Sequence, residues 1–207
     1  MKVTNPTIIA FALAVLASAQ FDQQSAPFHL VLFSDDDHIN GTTLTACHSG
    51  AAISSLCLSS GGSPSSPDPL APSIFRFNTS TQTQPASPES TPGLLTNEIP
   101  TAPGNLPIPT VLDFYQDPTV DYALPLFYPG EIGRTIAVTE SNFFNVQGYV
   151  DYSVNPPKSG EWKSYNRWYA CTTYYQGYQY LNVVFKLGAG KPQEPGCTSV
   201  EVKRVFI

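Results

Sequence analysis

Apolar residues fall in short runs along this chain, many of them alternating with polar ones, and Gly, Pro, Asn and Asp separate the runs. Alternation puts every second side chain on one face of a strand, so the pattern predicts β-structure rather than helix. Phe28-His29-Leu30-Val31-Leu32-Phe33 reads as a buried strand following a polar tail at 20–27. Residues 34–41 look like a turn. In 42–58, Gly50-Ala51-Ala52 leaves a tight hairpin and a short helical turn both open. Further strands are predicted at 74–77, 93–99, 111–115, 123–128 and 135–139. Between 146 and 154, Val150, Tyr152 and Val154 share one face, with Tyr149, Asp151 and Ser153 on the other. Between 167 and 175, Trp168, Ala170, Thr172 and Tyr174 fall together. Residues 180–187 and 199–206 complete the set.

The expectation is therefore one all-β domain over 28–207: an antiparallel sandwich or barrel of about ten to twelve short strands. A β-trefoil would match that count, but no threefold repeat accompanies it.

Composition narrows the picture. The chain has 207 residues, including 20 Pro and 14 Gly, and a proline costs about 3 kcal/mol inside a helix, which disfavours a helical bundle. Fourteen of the prolines lie in 61–130, so Pro/Ser/Thr-rich surface loops are expected near 59–72 and 79–109. Charged residues make up 13%, too few for a coiled coil or a nucleic-acid-binding arm, and 12% aromatic is too many for a disordered chain.

Residues 1–19 have the form of an export signal. Lys2 is followed by an uncharged apolar run from Ile8 to Leu16, then by the small residues Ala17-Ser18-Ala19. That run is too short to span a bilayer. Cleavage would leave 188 residues and shift the net charge from −6 to −7, giving a secreted acidic protein with no membrane attachment. Four cysteines suit that compartment, and their spacing is too wide for a zinc site. Short loops close at the lower entropic cost, which predicts Cys47–Cys57 and Cys171–Cys197. Asn40-Gly41-Thr42 and Asn78-Thr79-Ser80 are glycosylation sequons, whereas Asn5-Pro6-Thr7 is blocked by its proline.

Charge is uneven, −11 over 20–155 and +4 over 156–207. Strand surfaces that pair their bases with acids elsewhere account for this, and a basic face for an acidic polysaccharide is the sharper alternative.

Motifs for chemistry are weak. Asp35-Asp36-Asp37 places His38 and Cys47 where a calcium loop needs oxygen ligands. His29, His38 and His48 lack the spacing of a helical zinc site, and Ser49 lacks a nucleophile elbow. Gly188-Ala189-Gly190-Lys191 is followed by Pro192, where a phosphate loop needs Ser or Thr. Asp113, Asp121, Glu131, Glu140 and Asp151 are available for glycoside hydrolysis, but nothing pairs them. No catalytic residue, metal or cofactor is expected. The positive feature is aromatic: eight of the eleven tyrosines lie between Tyr149 and Tyr180, with both tryptophans among them. Such rings fill cores or stack on sugars. Trp168, Tyr169, Tyr175 and Tyr178 are the candidate stacking residues.

Three blocks carry a resemblance. They are Phe28-His29-Leu30-Val31-Leu32 with Ala46-Cys47-His48-Ser49-Gly50-Ala51-Ala52-Ile53; Arg167-Trp168-Tyr169-Ala170-Cys171; and Leu187-Gly188-Ala189-Gly190-Lys191-Pro192-Gln193, leading to Cys197 and Val202-Lys203-Arg204-Val205-Phe206. Together they resemble an uncharacterised family of secreted filamentous-fungal proteins, a domain of unknown function. The plan is loosely similar to fungal cell-wall proteins of the PhiA type. The resemblance implies an extracellular or wall-associated setting and assigns no site. The expected function is non-enzymatic. The alternatives are binding of cell-wall polysaccharide through a Tyr/Trp-rich face, a hydrolase with a dispersed site, or a host-directed effector.

Overall fold

A computed structural model describes residues 21–80, 89–103 and 105–207. The expected export segment and residues 81–88 of the expected 79–109 loop lie outside the described residues. The strands are β1 (Gln23–Gln24), β2 (Phe28–Phe33), β3 (Leu44–Gly50), β4 (Ile53–Leu58), β5 (Phe75–Thr79), β6 (Ser90–Ile99), β7 (Ile108–Gln116) and β8 (Tyr122–Pro129). They continue as β9 (Ile136–Thr139), β10 (Phe144–Asp151), β11 (Lys158–Tyr165), β12 (Trp168–Tyr175), β13 (Tyr178–Lys186), β14 (Thr198–Ser199) and β15 (Glu201–Phe206). All the pairings are antiparallel, and the fifteen strands join into one curled half-barrel sheet with the order β11-β10-β9-β6-β7-β8-β4-β13-β12-β14 along its main path.

The all-β reading holds, with fifteen strands in one sheet among the described residues, more than the ten to twelve expected. Three of the additions are β1, β14 and β11. Seven of the eight β11 residues are exposed, so its sequence shows no apolar face, and its ladder with β10 alone defines it. The expected 79–109 loop is interrupted by β6, ten residues long. The 42–58 segment resolves as the β3–β4 hairpin, with Cys47 opposite Ser55 and Gly50 opposite Ile53.

Two prolines enter strands where a ladder changes partner or ends. Pro125 sits between Tyr122–Ala123, which face β13, and Leu126–Phe127, which face β4. Its missing N–H therefore falls in the gap between two neighbours. Pro92 pairs with Ala137 of β9, beyond the Asn78–Leu94 pair at which the β5–β6 ladder ends among the described residues.

The concave face closes around the main core. Phe28, Leu30 and Leu32 of β2 meet Phe75 and Phe77 of β5, Phe127 of β8, Phe144 of β10, Trp168 of β12 and Val202 of β15. The first long strand and the last are paired along their whole length, from Glu201 opposite Phe33 to Phe206 opposite Phe28. A second cluster lies on the outer face, where Tyr122, Leu124 and Leu126 of β8 pack with Cys171 and Val184. Burial of this kind stabilises by about 25 cal/mol per Å² of apolar surface.

Candidate functional site

Both cysteine pairings expected from spacing are present. Cys47–Cys57 staples the β3–β4 hairpin, and Cys171–Cys197 ties the segment before β14 to β12. The second bridge holds that segment against the outer face, where Cys197 joins Tyr169 and Tyr175 in packing on the second cluster.

The aromatic candidates separate by strand geometry. In the β12–β13 hairpin Tyr175 stands opposite Tyr178 across Gln176-Gly177. Both turn residues have positive φ, 47° and 91°, as a type I′ turn requires, and glycine adopts that conformation without penalty. Residues directly opposite point to the same side, so Tyr169, Tyr175 and Tyr178 share the outer face. All three are half-buried. Tyr115 meets Tyr175 edge-on at 4.9 Å, and Tyr178 contacts His48 at 5.1 Å. Burial, and then a hydrogen bond with Tyr175, pushes the Tyr128 phenol up from its usual range. Tyr169 and Tyr175 pack on the second cluster, and Tyr178 on the one formed by Cys47, Cys57 and Tyr180, so all three are partly covered. Trp168 is a correction: it points to the opposite side, is 3% exposed, and its Nε1–H donates to the Phe144 carbonyl at 2.8 Å. It belongs to the core and cannot stack on a sugar.

Exposed aromatic rings include Tyr174 of β12, 74% exposed on the side away from Tyr175, and a pair on the β10–β11 ribbon. Tyr149 and Trp162 are 47% and 46% exposed, with ring centroids 4.8 Å apart and planes tilted by 50°. Tyr152 and Val154, beyond the end of β10, are also exposed. Among the described residues β11 pairs only with β10, so the ribbon ends the sheet. A register shift between Gly148 and Val150, together with Lys158, Glu161 and Lys163, guards that edge against strand addition.

A cleft of about 830 Å³ lies on the outer face of β5, β6 and β7, walled by the 130–135 segment. Register explains its floor: Arg76 lies opposite Thr96, which lies opposite Val111. Asn78 and Leu94 form the next row. The wall is held by the Arg134 N–H donating to the Leu112 carbonyl at 2.8 Å, beyond the point where β6 and β7 part. Gly133 fits closely there, since a Cβ would come within 2.5 Å of that carbonyl. Glu98 and Glu131 also line the cleft, both of them exposed. A glycosidase acid needs a wall that desolvates it, and neither has one.

The other chemical candidates are dispersed. His48 and Ser49 are strand neighbours, and Ser49 is buried, donating to the Cys47 carbonyl. His29 Nδ1 contacts the Ser73 carbonyl at 2.9 Å, and His38 is exposed in the 34–41 turn, where its N–H donates to Asp36. Asp113 pairs with Arg134 at 3.8 Å, and Asp121 with the buried Lys186 at 3.3 Å. Hydrogen bonds from Ser153 hold the Asp151 carboxyl below its ordinary value, and Glu140 lines a separate small pocket. The 188–191 turn presents its Gly188 carbonyl to Arg167 at 2.7 Å. Among the described residues no group of three or more His, Cys, Asp or Glu is arranged to hold a metal. The C-terminal bases are spread out: Lys203 lies over Phe33 and Phe143, and Arg204 bonds Asn142. Both sequon asparagines accept through Oδ1, Asn40 from the Ser34 N–H and Asn78 from Gln24.

A family model, the domain of unknown function DUF7907, matches residues 25–206, which takes in every strand from β2 to β15. No curated protein and no solved structure matches the chain.

Proposed function

The chain belongs to that family, and from its sequence resemblance and its geometry together we propose a secreted, non-enzymatic protein of a filamentous fungus that binds neutral cell-wall polysaccharide through the ribbon. The observation that carries this reading is the Tyr149–Trp162 pair, whose rings remain half exposed on the ribbon beyond Val146 and Tyr165, where it packs on the main core. Large rings are normally buried, and Tyr and Trp combine an apolar ring with a hydrogen-bonding group, which suits the CH faces and hydroxyls of a sugar. The two disulfides support the extracellular setting.

Retention on insoluble chitin and on β-glucan tests the proposal. The protein is retained on at least one polymer. The double variant Tyr149→Ala/Trp162→Ala weakens retention about tenfold, equivalent to about 1.4 kcal/mol. Failure of the unaltered protein to bind either polymer removes the reading.

A further inference from the structure

Asn78 combines two features. It belongs to the sequon Asn78-Thr79-Ser80, and its side chain lines the outer cleft. Its Oδ1 accepts from Gln24 Nε2 at 3.2 Å, while its Nδ2, the atom that carries an N-linked sugar, makes no hydrogen bond among the described residues. Ile74 and Ile132 in the same cleft are 51% and 94% exposed, an apolar surface that nothing covers among the described residues. Arg76 is half-buried, and its guanidinium has no ion pair or hydrogen bond there either. Glu98 adds an acceptor at the rim. Apolar patches interleaved with single donors and acceptors form the kind of lining that suits sugar rings.

We infer that the cleft is filled by the protein's own N-linked glycan, carried on Asn78. The inference rests on the export reading, because glycan transfer occurs in the secretory compartment. In the transfer, the Asn78 amide nitrogen attacks the anomeric carbon of the first sugar of a lipid-diphosphate-linked oligosaccharide. The new C–N bond forms as the C–O bond to the diphosphate breaks, and the carrier leaves with the amide proton. The chain then folds with its first sugars over Ile74 and Ile132, and Arg76 donates to their oxygens. The cleft is thereby closed to other ligands, and the glycan forms part of the outer wall.

The test uses the full chain secreted from a eukaryotic host. Mass analysis of proteolytic peptides reads occupancy at Asn40 and Asn78. The folded protein is then trimmed to a single N-acetylglucosamine per site with an endoglycosidase, which avoids any folding defect of a Ser80→Ala variant. Occupied Asn78 is expected, together with an increase of about twofold in the fluorescence of an apolar dye after trimming and faster amide exchange across 130–135. A glycan on Asn40 with Asn78 bare overturns the inference and leaves export standing. Bare asparagines at both sites overturn the inference in the same way, whereas export itself is read from whether the chain reaches the medium with residues 1–19 removed. An occupied Asn78 whose trimming changes neither dye binding nor exchange also overturns the inference. Polysaccharide retention reads the separate ribbon site and stays unchanged on trimming.

Discussion

Trp168 shows how one residue's environment decides its role. Its ring contacts Phe185 at 5.0 Å and Phe114 at 6.1 Å, and its indole N–H supplies the Phe144 carbonyl. Replacing it by Ala removes a buried ring and is expected to cost about 3–5 kcal/mol. Trp168→Phe, which mainly loses the hydrogen bond and leaves a carbonyl unsatisfied, costs about 1–2 kcal/mol. Urea unfolding of both variants measures these differences, and neither variant should alter polysaccharide retention beyond the loss of folded protein. The alternation of 167–175 shows that Trp168, Ala170, Thr172 and Tyr174 share a side. It does not show where that side passes from core to solvent. Trp168 and Ala170 are buried, whereas Thr172 and Tyr174 are exposed, because the hairpin outruns the core. A platform holding both Trp168 and Tyr169 is excluded by the same geometry, since strand neighbours face opposite ways.

At the scale of elements, the 130–135 segment depends on a close approach to β7. In Gly133→Ala the new Cβ would lie 2.5 Å from the Leu112 carbonyl and 2.6 Å from Val111 Cγ2. Backbone cannot yield as a side-chain end can, so the segment must lift and strain its bond from Arg134. The expected loss is about 1–3 kcal/mol, with faster amide exchange at 133–135 and an unchanged β10–β11 ribbon. Hydrogen-exchange mass spectrometry separates the two regions. Elements with an apolar face were legible: β2, β8, β9, β12, β13 and β15 all follow from their patterns. The disulfides were legible for a different reason, since loop closure favours near partners. β11 was not, because a strand exposed on both faces has no hydrophobic period to reveal it. The cleft was not legible either: its floor joins residues from β5, β6 and β7 whose proximity depends on register.

Across the whole molecule, the buried tyrosines set an alkaline limit to stability. Burial is the main cause of the raised phenol values of Tyr122, Tyr128 and Tyr180; nearby acids add to it at Tyr122, and Tyr175 and Tyr178 add to it at the other two. An unfolded tyrosine ionises near pH 10, so above about that pH the unfolded chain releases protons that the folded one retains. The stabilisation is fully present below pH ~10 and is lost as pH rises through the folded values. Urea midpoints should therefore fall steadily above pH ~10, with tyrosinate absorbance appearing on unfolding. An unchanged midpoint up to pH ~12 would contradict the burial of these phenols.

The pairing of β2 with β15 has a consequence for the order of events. Phe28 meets Phe206 at both ladder and ring, 5.9 Å between centroids, so the main core lacks a wall until the last strand has been synthesised. Such long-range closure slows folding, because the entropy of bringing the ends together is lost before the contacts are gained. A chain threaded N-terminus first through an export channel would stay open along most of its length during passage. Its cysteines and the Asn78 sequon would then be accessible before the sheet curls shut.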